Sequence, residues 1–226
     1  MRKHHVPQYG SISAPGGYQS YIKDIGPVAC DRYALTMTYA AWKLGFVDET
    51  VTTSNVFCRS YLNNGDTYRD ITTGEIRPVK VPYLVNAGLG LVAEWYAGWQ
   101  WRDRDLRHLA GQYIVDAEGR RLRLFPDEFL YWLSKKKLIL DISAIPEGEL
   151  IFPQEPSMQF TGPWWQQMMI EATTLALISS STNLTTVASQ VRLATQREAG
   201  KEGAGMVDMS AKDIPEPQKM EFAGLA

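Results

Sequence analysis

Cysteine and histidine are scarce in this chain of 226 residues, which holds two of the first, Cys30 and Cys58, and three of the second, His4, His5 and His108. The cysteines form no C-x-x-C pair and the histidines do not cluster with them, so reduced thiols and no structural metal are expected. Net charge is −2, and no sequence-wide basic field draws nucleic acid or anionic lipid. No apolar run is long enough to span a bilayer. The first residues, Met1 to His5, lead into a polar Gly/Ser/Pro stretch rather than an apolar segment, and a cytosolic protein is expected. Asn183-Leu184-Thr185 fits a glycosylation sequon, which has no meaning in that compartment.

Hydrophobic residues make up 45% of the chain, enough to bury one ordinary domain, or a domain with part of another. Composition divides it into a flexible arm at 1–26, a domain at 27–162, a long helix or helix pair at 163–196, and a mobile linker at 197–226. A helix is predicted from Asp31 to Gly45: Asp31 suits its start, Gly45 its stop, and Tyr33, Thr36, Met37, Ala40, Ala41 and Leu44 line one face. A tyrosine on such a stripe is ordinarily core. Val51 to Arg59 reads as a strand, residues 61–80 as a loop or hairpin, and Asn86-Ala87-Gly88 as a turn opening a helix.

Trp95, Tyr96, Trp99 and Trp101 crowd one segment, the composition of a subunit or domain contact rather than a ligand cage. Arg102 to Leu109 begins a charged amphipathic helix, Tyr113 to Leu124 reads as a short hairpin, and Phe125 to Leu133 as a helix whose end carries a solvated Lys135 to Lys137 run. Pro146-Glu147-Gly148 and Pro153 to Pro156 are turns bracketing two short strands. Pro163 then suits the first position of a helix. That helix has Trp164, Met168, Ala172 and Leu175 on one stripe and is expected to bend or break near Ser180.

Several strings on these elements form a pattern. Asp31-Arg32-Tyr33-Ala34-Leu35-Thr36-Met37, then Tyr83 to Leu89, then IPEGELIFPQEP and TGPWWQQMMIEAT in that order resemble the nicotinate phosphoribosyltransferase family over roughly residues 27–192. The last residues, Met220-Glu221-Phe222, resemble the family's opening barrel strand, and the chain stops where that pattern continues into paired arginines. The resemblance implies an α+β or α/β fold: the amino-terminal domain of a type II phosphoribosyltransferase, a mixed sheet with packed helices, and a long helix leading to an α/β barrel that is absent or incomplete here.

In that family nicotinate and phosphoribosyl pyrophosphate give nicotinate mononucleotide for NAD synthesis, with ATP and Mg. Tyr33 corresponds to the tyrosine that stacks on the pyridine ring, in dimers from the partner subunit. The D-x-Y-x-L-T-M string favours nicotinate over nicotinamide or quinolinate. Groups that bind phosphates belong to the barrel, so no catalytic residue is assigned in this chain, and turnover by it alone is not expected. A homodimer or a barrel-bearing partner chain is implied. The alternatives are a non-catalytic paralogue keeping the domain for dimerisation or regulation, and an unrelated α+β protein.

Overall fold

The computed structural model of the chain describes residues 21–62, 67–70, 72–78 and 82–199. A short 3-10 helix at Tyr21–Asp24 leads to helix α1, Arg32–Leu44, which Gly45 ends in the left-handed conformation (φ 85°) that glycine adopts without steric cost. Strand β1 is Val51–Phe57, and β2, Thr67–Arg69, pairs with β3, Ile76–Pro78. Strand β4, Leu84–Val85, precedes helices α2, Leu89–Gly98, and α3, Asp103–Ala110. Strands β5, Tyr113–Val115, and β6, Arg121–Arg123, form the expected hairpin before helix α4, Asp127–Ser134. Strands β7, Asp141–Ala144, β8, Leu150–Ile151, and β9, Pro156–Pro163, then feed helix α5, Trp164–Ala199.

The main sheet is antiparallel with order β1-β9-β7. Central β9 buries Ser157, Met158, Phe160, Gly162 and Pro163, as a strand flanked on both edges and covered by a helix must. Beneath it lies one aromatic core, with Trp95, Phe125, Phe129 and Trp165 almost wholly inaccessible. Tyr39 packs against Phe125 and Phe129, and Trp132 against Phe129 and Trp165, tying α1, α4 and α5 together. Each such buried side chain contributes roughly 1.5–3 kcal/mol of transfer free energy.

Several expectations are corrected. Trp95, Trp99 and Trp101 are core residues of this chain rather than a contact surface: Trp95 is buried on α2, and the segment between α2 and α3 buries Trp99 and Trp101. On α1 the buried residues are Ala34, Leu35, Thr38 and Ala41, while Tyr33, Met37 and Leu44 are exposed. Small residues let α1 lie close to its neighbours. On α5 the buried series is Trp165, Met169, Ile170, Thr174 and Ile178, rotated from the predicted stripe of Trp164, Met168, Ala172 and Leu175.

Helix α5 is also unbroken. Its serine and threonine run, weak as a helix former, faces the backbone of β4: Thr186 Oγ1 accepts from Val85 N–H at 2.9 Å, and Thr182 Oγ1 bonds both N–H and C=O of Ala87 at 3.3 Å. Two buried glutamines act likewise at its start. Gln166 holds Ile139 N–H and Lys137 C=O at 2.9 and 2.8 Å, and Gln167 donates to Thr52 C=O at 2.8 Å. Pro163 ends β9 rather than starting the helix, and Trp164 N–H reaches back to Thr50 C=O.

The run at Lys135 to Lys137 is partly tied down, since Lys136 pairs with Asp48 at 2.7 Å over the Trp132 ring. Residues 21–26, expected as part of the arm, are anchored through buried Ile22. Residues 1–20, together with 200–226 and hence most of the proposed linker and the Met220 to Phe222 strand, lie outside the described residues.

Candidate functional site

Tyr33 is the second residue of α1, and a near-half-exposed ring at 47% distinguishes it from the core residues of the same helix. Its hydroxyl donates to Glu171 Oε2 of α5 at 3.1 Å. That hydrogen bond, with the charge of the same carboxylate, raises the phenol above its ordinary pKa of 10.0, so the ring is held neutral. The segment in front of Tyr33 is fastened from three sides. Trp95 Nε1 donates to Ile25 C=O at 3.1 Å, and Thr173 Oγ1 donates to Ala29 C=O at 2.7 Å. The Arg102 guanidinium donates to both the carboxylate and the carbonyl of Asp24 at 3.2 Å, and Arg104 donates to the same carbonyl. Burial, aided by Asp31, pushes the Cys30 thiol up to about 12, leaving it an inert packing group against Met169.

Beside Glu171 a groove of about 290 Å³ runs between β1 and α5, with Thr52, Ser54, Phe160, Trp164 and Met168 among its walls. Among the described residues Glu171 is the one ionisable side chain lining it. A pyrophosphate requires converging cations or backbone N–H groups. This groove, apolar with one carboxylate, suits an uncharged or aromatic group instead.

The second pair of sequence motifs meets on the other side of α5. Glu147 of the Pro146-Glu147-Gly148 turn accepts from the N–H groups of Gly88 and Gly90 at 2.7 and 3.2 Å, capping the start of α2. Asn86 N–H donates to Glu149 C=O, Gly148 N–H donates to Asn86 C=O, and Asn86 Nδ2 donates to Ile145 C=O. These residues, prominent in the sequence, build a junction rather than a binding surface. Gly88 is required there: its φ is 101°, and a Cβ would sit 2.9 Å from Ser181 Oγ.

His108 is exposed on α3 against Gln112, apart from Tyr33 and the groove, and among the described residues no three His, Cys, Asp or Glu side chains converge to hold a metal ion. Both cysteines are free thiols. Sequence reasoning singled out Tyr33 but not Glu171, which appeared only as one letter of a helical string. Its signal was an acid interrupting an otherwise apolar and neutral turn, at Met168 to Ala172.

Comparison with known proteins bears on the family of the chain. Nicotinate phosphoribosyltransferase pncB2 of Mycobacterium tuberculosis is 29% identical over 188 residues, covering 83% of this chain and 33% of that protein. The human nicotinate phosphoribosyltransferase is 24% identical over 167 residues, covering 74% of this chain and 27% of that one. The chain therefore spans about a third or less of the length of these relatives. The crystal structure of human nicotinic acid phosphoribosyltransferase has the same fold over 73% of this chain and 28% of its own, with a TM-score of 0.55 at 24% identity. A model of the nicotinate phosphoribosyltransferase (NAPRTase) N-terminal domain matches residues 28–179, well over half of the sequence, and the chain belongs to that family.

Proposed function

We propose that this chain is the amino-terminal part of a nicotinate phosphoribosyltransferase and that Tyr33 presents its ring to the pyridine ring of nicotinate. The observation that carries the reading is the exposure of Tyr33 on a helix whose neighbouring face is buried, with the ring held by Glu171 and the preceding segment fastened at Asp24, Ile25 and Ala29. A flat aromatic face suits a flat heteroaromatic acid, because stacking removes both faces from water in one defined plane.

In the proposed reaction the pyridine nitrogen forms a bond to C1 of the ribose while the bond from C1 to pyrophosphate breaks. The electron pair of that bond leaves with the pyrophosphate, and the ring nitrogen becomes cationic. Phosphate binding, and ATP with Mg, fall to the part of the enzyme this chain does not span, since neither the groove nor any acidic cluster among the described residues fits them. The ring bound in the barrel of a partner subunit is the target of Tyr33, in a homodimer or with a barrel-bearing chain. A cytoplasmic setting suits the two unpaired thiols.

The test is to mix the chain with a polypeptide carrying a matching barrel and measure nicotinate-dependent pyrophosphate release. The chain alone should release none. Tyr33→Ala, folded as judged by circular dichroism, should weaken apparent nicotinate affinity several-fold. An unchanged affinity rejects the role of Tyr33.

A further inference from the structure

We propose that Glu171 is the positioning residue for Tyr33, holding the phenol ring in place across the α1–α5 contact and enriching its face with electron density; the inference rests on Tyr33 being the ring-binding residue. Three observations carry it. The two residues are 138 apart in sequence and meet at 3.1 Å, so the contact is made by the fold and not by local geometry. The phenol has no other hydrogen-bond partner among the described residues, and its ring is too exposed for packing alone to select one rotamer. Among the described residues Glu171 is also the single ionisable group of the adjoining groove, and none of them places a cation there beside its charge.

A carboxylate that accepts a phenol proton pulls electron density into the ring without removing the proton. The ring face, already the negative pole of the aromatic quadrupole, becomes more negative. That matters little to a neutral pyridine and much to one acquiring positive charge as its nitrogen bonds to ribose. Glu171 therefore acts through Tyr33, more strongly on the reacting ring than on the bound one. Its own negative charge also disfavours the substrate carboxylate nearby, which fixes the acid on the side of the ring away from α5.

Two measurements test this. The first uses the chain by itself and follows tyrosinate absorbance during alkaline titration. Eleven tyrosines are present, so the difference between parent and Tyr33→Phe isolates one of them. That component should titrate above 10.0 in the parent and fall back toward it in Glu171→Gln, titrated against the double variant Tyr33→Phe/Glu171→Gln. A Tyr33 component unmoved by Glu171→Gln overturns the proposal.

The second is a double-mutant cycle in the reconstituted enzyme with Glu171→Gln, Tyr33→Phe and both. Glu171→Gln should lower kcat several-fold with a smaller change in nicotinate KM, and should have almost no effect in the Tyr33→Phe background. An effect that persists there overturns the proposal, because Glu171 would then act independently. Tyr33→Ala distinguishes the two levels of the argument. If it weakens nicotinate binding while Glu171→Gln does nothing, only the role of Glu171 falls; if Tyr33→Ala is silent, the reading of Tyr33 falls with it.

Discussion

Where α5 passes β4, Thr182 and Thr186 are buried and bonded to strand backbone; where it passes α1, Glu171 meets an exposed phenol with a single hydrogen bond. Both junctions join strings that stand out in the sequence to the same degree. The β4 junction is densely bonded, with Glu147, Asn86, Gly88, Thr182 and Thr186 all engaged and Asn86 Oδ1 buried without a partner among the described residues. The Tyr33 junction is minimal and leaves a ring face free. A motif whose side chains are buried in mutual bonds reads as architecture, and one that keeps a face open to solvent is a candidate for function.

That contrast is broken most severely at Gly88. Gly88→Ala combines a left-handed backbone with contacts of 2.9 and 3.0 Å to Ser181 and Leu177 on α5, and should destabilise the chain by about 3 kcal/mol or more, read from urea unfolding. Next comes Thr186→Val, nearly isosteric, which strands the buried Val85 N–H and should cost about 2 kcal/mol in the same assay. Glu147→Ala removes the carboxylate that caps α2 and should cost about 1 kcal/mol.

At the other junction the expectation reverses. Tyr33→Phe should leave the urea midpoint where it is, since an exposed hydroxyl is lost to water, yet it should lower kcat in the reconstituted enzyme with a smaller change in nicotinate KM. A stability loss at Tyr33→Phe comparable to that at Thr186→Val would erase the distinction between the two sites. The smallest effect is on pH. Tyr33 has a folded-state pKa raised above the unfolded value near 10.0, so its contribution is complete below pH 10 and is lost as pH rises through the folded-state value. Protection of the hydrogen-bonded amides of α1, taken relative to intrinsic base-catalysed exchange, should therefore fall in that alkaline window, and Tyr33→Phe should abolish that fall.

Much of the fold could be read from periodicity and turn chemistry. Gly45, the Pro146 to Gly148 turn, the Tyr113 to Leu124 hairpin and the length of α5 all lie in local sequence, where backbone preference decides. Burial was read less well. Tyr33, Met37 and Leu44 are the larger apolar side chains of the predicted α1 stripe, and a hydrophobic stripe is taken to face inward; of that stripe the fold buries Ala41, together with Ala34, Leu35 and Thr38 from outside it. Trp95, Trp99 and Trp101 looked like a contact surface only because a single segment cannot show that the Tyr21–Asp24 helix and α5 pack on α2. The serine and threonine run of α5 read as a bend or break because its partners, the backbone of residues 85–87, are distant in sequence, as are the partners of Gln166 and Gln167.

By itself the sequence determined the family and the order and type of most elements, and it pointed to Tyr33 as a candidate. These depend on residue identity and short-range spacing, which a linear string preserves. Only the tertiary structure decided which face of α1 is open, that α5 runs unbroken because β4 consumes its hydroxyls, and that Glu171 is the partner of Tyr33. Each of those is settled by a hydrogen bond or a packing contact between residues separated by most of the domain, and the free energy that selects them exists only once the chain has closed on itself.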